Sequence, residues 1–490
     1  MSNQPIFWLD SVRRAHPTID EYCTIMPSFY EFGSSELRII QLKNRNQFNF
    51  SNTLILKIYI TSLAISYFIK SLLPGYLGYN ATAALSTTTE DGWCEPNLQG
   101  IGSHCFSDFY NVMAASNSQQ PWSSTPNPSP PFGLLIFRFF SLDFWNVGQS
   151  RVALLVYLSM GIIGITMSFW LFAKKYCDSL TARLLGLCLV FLSSPILILI
   201  DRANYLIFLI PLHFLILHYF IQNKNKQMLL LLGLLVLMKP HFVVYSLLFV
   251  INGRYKTFIK SIIFSSLLLL ISFGLYPLRI LENIKDYLKQ LESYQNYTNA
   301  GAIYPPNISI FNFYYTLKRI FAQQFPGSIG LDPQAKWLFQ NQIFTIAITL
   351  VILVIFLIGM NYRTKANNYA ILVFITILVT NVSFAYYLSL LIPIITLYFL
   401  TDLENTKYKF NLVTSNAEKI VFTLMLIFLF VPWSIPWTVF SKLKPYSWSE
   451  VSFTWLIGQA FLLVFFFILL LKGLRQGFNI RAEEKSADPQ

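Results

Sequence analysis

Residues 227–252 read QMLLLLGLLVLMKPHFVVYSLLFVIN, an apolar run long enough to cross a bilayer if it were one helix. Its flanks argue against one crossing. Lys224 and Lys226 precede it and Arg254 and Lys256 follow it, and short loops rich in Lys and Arg stay on the cytoplasmic side. A single span cannot begin and end on the same side. Near the middle stands Lys239-Pro240. Proline removes a backbone N–H and clashes with the preceding turn, which divides the run into two arms of about a dozen residues, each ~18 Å long. The segment reads as a re-entrant hairpin with Lys239 at its tip, a form allowed where protein or water covers the broken backbone. Two short tilted spans are the other reading. Both put Lys239 at a turn near the outer side.

Composition agrees with a membrane setting. The chain has 490 residues, 54% hydrophobic and 17% aromatic, with only 12% charged; the last value is about half the ~25% of soluble domains. Mean hydropathy is +0.51. Gly and Pro (21 and 23) follow no period, and five Cys are far too few for a disulfide scaffold. The formal charge is 36 − 23 = +13, with the Lys and Arg scattered between apolar runs. That distribution fits cationic loops facing an anionic leaflet, and no nucleic-acid partner is expected.

Hydropathy marks spans at 54–73, 152–173, 182–200, 204–222, 258–279, 341–360, 368–382, 384–401, 419–433 and 453–472. Basic residues in the intervening loops (Lys174, Lys175 and Arg183; Arg363 and Lys365; Lys407 and Lys409) fall on one side, which the positive-inside rule makes cytoplasmic. Residues 1–50, with Arg13, Arg14, Arg38, Lys43 and Arg45, join them, and the first apolar run near Leu54 reads as an uncleaved span. The expected organisation is a cytoplasmic segment 1–50, a transmembrane domain 51–473 and a cytoplasmic tail 474–490. The fold class is an all-α polytopic membrane protein of about ten transmembrane helices plus the hairpin. Two large loops, 74–151 and 280–340, face outwards; both are too long for passive connectors. Their aromatics (Phe106, Phe109, Tyr110, Trp122; Tyr304, Phe311, Phe313, Tyr314, Tyr315) predict interfacial helices.

Charges at membrane depth or at outer span ends are costly and therefore mark functional candidates. Asp201-Arg202, followed by Asn204, lies between two spans; Lys239 and His241 lie at the hairpin tip; Asp108 lies in the first outer loop. Each has a plainer explanation: Asp201 and Arg202 pair with each other, Lys239 snorkels to headgroups, His241 is a hydrogen-bonded structural residue. Asp108 would be solvated surface charge, like Glu90, Asp91, Glu95 and Asp143 in the same loop. Composition alone does not choose among these acids. No Walker A or GxGxxG sequence, no CxxC and no HExxH occurs, so neither a metal nor another cofactor is expected. Cys94 and Cys105 share the first outer loop, as a disulfide or as two thiols; Cys177 and Cys188 fall near the inner face.

The order of these pieces resembles the GT-C membrane glycosyltransferases of family 87. SDFYNVMAASNSQQPWSSTPNPSPPFGLLIF, with Asp108-Phe109-Tyr110 and Ser129-Pro130-Pro131, is similar to the family's Asp-Phe-Tyr followed by Tyr-Pro-Pro. IDRANYLIF matches its acidic-Arg-Gly-Asn segment through Asp201, Arg202, Ala203 and Asn204. VLMKPHF matches its Lys-Pro break. PPNISIFN, with Asn307 and Ser309, is similar to its Asn-x-Ser element, and TNVSFAYYLSLLIP to its late Ser-aromatic-x-His motif. The departures are Tyr386 and Tyr387 where the family has His, Ser129 for Tyr and Ala203 for Gly. The likeness covers about residues 50–400 and rests on order more than on any one motif.

The resemblance implies a GT-C-like bundle and a transferase that takes a sugar from a polyprenyl-phosphate donor to a lipid-linked or cell-envelope glycan acceptor. Inversion at the anomeric centre would go with it. Such a reaction needs a carboxylate for the acceptor hydroxyl proton and cations where phosphate charge develops. On that basis Asp108 is the general base, Lys239 and Arg202 stabilise phosphate with His241 as auxiliary donor, and Asn204, Asn307, Ser309 and Tyr387 contact substrate. The expected partners are the polyprenyl-phosphate sugar, a glycolipid or glycan acceptor and membrane lipids. The rival readings are a transporter or flippase of lipid-linked sugars and a glycan polymerase or ligase.

Overall fold

A computed structural model describes residues 51–77, 106–116, 121–122, 129–141, 150–276, 279–301, 308–310, 313, 342–379, 383, 385–403, 412–432 and 453–487. The expectations for residues 1–50, Cys94, Cys105 and Asn307 lie outside the described residues. Every regular element among the described residues is helical. In chain order these are α1 (Asn52–Leu77), α2 (Ser107–Ser116), α3 (Pro131–Phe140), α4 (Ser150–Tyr176), α5 (Leu180–Phe191) and α6 (Ser194–Arg202). A 3₁₀ turn, Tyr205–Phe208, leads into α7 (Leu209–Ile221), followed by α8 (Asn225–Met238). A second 3₁₀ turn, Pro240–Ser246, leads into α9 (Leu247–Ile251), then α10 (Tyr255–Phe273), α11 (Ile280–Gly301) and α12 (Gln342–Gly359); a third, Met360–Tyr362, precedes α13 (Lys365–Leu378). A fourth, Ala385–Leu391, leads into α14 (Ile392–Leu403), then α15 (Asn416–Phe430) and α16 (Phe453–Ala487).

Four of these helices, over Asn52–Ile69, Val152–Tyr176, Tyr255–Phe273 and Trp455–Gly477, are long and apolar enough to cross a membrane. The count rises to 5 if the bent pair α5–α6 is one span; the other apolar helices run 10–17 residues. On α4, Leu155, Met167 and Leu171 are each at least 60% exposed, while Tyr157, Ile165 and Phe169 are fully buried. A helix apolar on both its packed and its open faces is suited to lipid, since water would penalise the open stripe. On α10 the open stripe is Ile259, Ile263, Leu267 and Ile271.

The predicted span 182–200 is not one helix. It breaks at Leu192-Ser193, and α5 and α6 meet at 54°. Pro195 is the cause, because it falls in the first turn of α6 and lacks the N–H that would continue the ladder of α5. α16 runs on through residue 474, where the expected tail begins, to Ala487.

The chain reverses at Lys239. Gly233 on α8 sits so close to α10 that a Cβ there would be 2.5 Å from the Phe264 ring and 3.0 Å from Leu268. Ser246, beyond the break, bonds Ser261 of α10 at 3.0 Å. Positions 233 and 246 would be about 20 Å apart on a continuous helix, yet both land within two turns of α10. The segment therefore folds back, with Lys239 in extended backbone (φ −150°, ψ 104°) at the bend.

At the end of the bundle far from Lys239, buried Arg363 ties three helices together. Its guanidinium donates to Asn368 Oδ1 (3.2 Å) on α13, to the Phe356 carbonyl (3.4 Å) on α12 and to the Leu470 carbonyl (3.1 Å) on α16. Nearby, Lys472 of α16 pairs with Glu418 of α15 at 3.0 Å. Glu418 also accepts the Thr414 backbone N–H (2.6 Å), one residue before the N-cap, while Ser415 caps α15 by accepting the Glu418 N–H.

Candidate functional site at the Lys239 bend

Two left-handed residues shape the corner that faces the bend. Ala203, fully buried, has φ 46° and ψ 44° and ends α6; Phe106, with φ 52°, opens α2. The Phe106 N–H donates to the Asp201 carbonyl at 2.7 Å, so the first loop is stitched to the end of α6. An aromatic cluster completes the join. Tyr157 on α4, fully buried, lies 5.0 Å from Phe109, 5.5 Å from Phe137, 5.3 Å from Phe140 and 5.1 Å from Phe208 between ring centroids. α2 and α3 are thereby packed onto α4 and the start of α7.

Asp108 in the first turn of α2 is half-buried and accepts from Asn204 Nδ2 at 2.7 Å. The same nitrogen lies 3.3 Å from the Tyr386 hydroxyl, while Asn204 Oδ1 accepts the Leu206 N–H at 3.0 Å. The next residue, Tyr205, presents its ring 4.9 Å from the Lys239 ammonium, and the Tyr387 ring is 5.1 Å away on another side. Among the described residues Lys239 makes no ion pair; its charge is held over two π faces, an arrangement that stabilises a partly dehydrated cation. Tyr387 is also within electrostatic reach of Asp108 and its ring is 6.3 Å from that of His241. Tyr386 and Tyr387 stack with ring centroids 5.5 Å apart, so the Asp108–Asn204 pair and the Lys239 ammonium meet on the two members of one tyrosine stack.

The Ile308 N–H donates to the Ser383 carbonyl at 2.6 Å, which brings buried Ser309 against the segment carrying Tyr386 and Tyr387. Arg202 stands two residues before Asn204 in the same corner. Of the residues singled out in the sequence, Asp108, Asn204, Lys239, His241 and Tyr387 are thus brought together, with Arg202 and Ser309 adjoining through the backbone.

Three tyrosines were not legible as members of this site. Tyr205 and Tyr386 had a positional signal, one beside Asn204 and one beside Tyr387. Tyr157, mid-span in a chain with 27 Tyr and 45 Phe, had none. Its hydroxyl is buried without a hydrogen-bond partner, as is His241 Nε2. Tyr157 packs on Phe109, the neighbour of Asp108, and the His241 ring is 6.3 Å from that of Tyr387. Polar atoms left unpaired inside a protein cost free energy, and among the described residues such atoms also occur elsewhere in the bundle, at His213 and Arg363 for example. Among the described residues no group of three His, Cys, Asp or Glu stands close enough to hold a metal. Comparison of the chain with family models, curated proteins and solved structures finds no match.

Proposed function

We propose that this chain is an integral membrane glycosyltransferase that moves a sugar from a polyprenyl-phosphate donor to a lipid-linked or cell-envelope glycan acceptor. The observation that carries the reading is the placing of Asp108 and Lys239 on the stacked Tyr386–Tyr387 pair, the carboxylate through Asn204 and the ammonium over the Tyr387 ring, with no ion pair to Lys239 among the described residues. As the acceptor oxygen forms its bond to the anomeric carbon, its proton passes to Asp108. The bond from that carbon to the phosphate oxygen breaks, and the electron pair stays on the polyprenyl phosphate. Lys239 offsets the charge that develops there, with Arg202 as a second cation and the His241 ring as a further donor. Ser309 and Asn307 of the second loop and Tyr387 contact the sugar. Attack opposite the leaving phosphate inverts the anomeric centre, and no cofactor takes part.

In this reading the membrane domain is a GT-C-like bundle of about ten spans plus the re-entrant hairpin in the cell membrane. The basic loops are cytoplasmic, so the Lys239 bend and the helices of the two large loops face outwards. Short apolar helices of 10–17 residues then cross beside longer partners, which tilt and local thinning of the bilayer allow.

The test is purified chain in liposomes with labelled polyprenyl-phosphate sugar and a lipid-linked acceptor. A labelled glycosidic product is expected; translocation of the label without product would favour a flippase. Lys239→Met should raise the KM for the lipid phosphate donor or lower kcat by about 10-fold or more, the loss of one charge-assisted contact to phosphate. Wild-type kinetics in that variant would reduce Lys239 to a headgroup anchor.

A further inference from the structure

Asn204 is committed on every side within the protein. It is 6% exposed, and its Oδ1 caps the 3₁₀ turn Tyr205–Phe208 by accepting the Leu206 N–H. Because a backbone N–H needs an oxygen as partner, that bond settles which way the amide points. Nδ2 must face away from the turn, and its two hydrogens are directed to Asp108 Oδ2 at 2.7 Å and to the Tyr386 hydroxyl at 3.3 Å. The amide has no donor left for a sugar hydroxyl.

We infer that Asn204, backed by Tyr386, is a positioning residue for Asp108: it grips one carboxylate oxygen and leaves the other to meet the acceptor hydroxyl. The inference rests on Asp108 being the base. An aspartate carboxylate rotates readily about its last torsion, and a base must meet its proton at ~2.6–3.2 Å. A donor that is itself pinned by a backbone cap removes that rotation before substrate arrives, and Ala203 in left-handed backbone turns the chain so that Asn204 reaches back to α2.

Two substitutions separate this role from the cap. Asn204→Ser keeps a good capping side chain and loses the amide donor. Asn204→Asp also keeps a cap, but sets a second carboxylate against Asp108. In the liposome transfer assay Asn204→Ser is expected to lower kcat by about 10- to 100-fold with KM little changed. Asn204→Asp should be poorer still at neutral pH and recover in part at lower pH, where two carboxyls share a proton. A thermal-unfolding double-mutant cycle of Asp108→Ala and Asn204→Ser reads the contact without any substrate, and non-additive shifts in Tm are expected. Additive shifts overturn the inference. A wild-type chain that transfers no sugar sinks the proposed activity and the positioning role with it. An active wild type whose Asn204→Ser variant keeps full kcat sinks the positioning role alone.

Discussion

Ala203 carries a backbone conformation that L-residues avoid, because Cβ crowds the following carbonyl at a cost of about 1–2 kcal/mol. It is fully buried and stands one residue before Asn204. Phe106 bears the same kind of strain two residues before Asp108. Strain of this sort persists where the surroundings over-determine the chain, and here it marks both sides of the Asp108–Asn204 contact. Ala203→Gly relieves the steric term and is expected to raise the Tm, by an amount matching up to about 1 kcal/mol after the added unfolded-state freedom of glycine is subtracted. A lowered Tm would mean that the Ala203 methyl packs better than the backbone suffers. Lys239 was legible as a residue because a charge beside proline interrupts an apolar run. The rings that hold it were not, since an aromatic side chain in a membrane span carries no mark of whether it faces lipid, core or site.

At the scale of elements, the bend at Lys239 was readable from charge bookkeeping: two basic flanks require a reversal, and Pro240 places it. Ser246 and Gly233 on the same stretch of α10 bear this out. The break between α5 and α6 was missed although Pro195 is in plain view, because the apolar count across 182–200 met the length of a span and the break leaves that count unchanged. The junction of α15 and α16 was also beyond sequence reading, since Glu418 and Lys472 are far apart in the chain. Burial pushes the Glu418 carboxyl up, but the Thr414 N–H, the Lys472 ammonium and the Thr414 hydroxyl together hold it below the usual range. A carboxyl whose folded-state pKa is depressed adds stability above its unfolded pKa, and that stability is lost as pH falls through the folded value. The Tm of the detergent-solubilised chain should therefore decline as pH drops below about 4.3, with Glu418→Gln showing less of that decline and a slightly lower Tm at pH 7. An unchanged acid slope in Glu418→Gln would assign the decline to other carboxyls.

At the scale of the whole molecule, the described charges with contacts inside the bundle include two groups with different surroundings. Arg363, Glu418 and Lys472 close the end of the bundle opposite the bend, where their contacts are structural. Asp108 is held by Asn204 and Lys239 by the Tyr205 and Tyr387 rings, beside the unpaired Tyr157 hydroxyl and His241 Nε2. The all-helical class was legible from composition, and long helices with exposed apolar stripes agree with it. The number of crossings was less so, because hydropathy counts apolar residues and does not report helix breaks or packing depth. The site was legible as a set of outward charges, while the amide and hydroxyl network around them depends on contacts between segments about a hundred residues or more apart.

The most direct measurement compares purified wild type and Asp108→Asn in liposomes containing labelled polyprenyl-phosphate sugar and acceptor, with Tm recorded for both. Product from the wild type and a loss of about 10²- to 10⁴-fold in the variant at equal Tm is the result expected of a base at Asp108. A stable Asp108→Asn variant that still transfers sugar at a rate near wild type would contradict it.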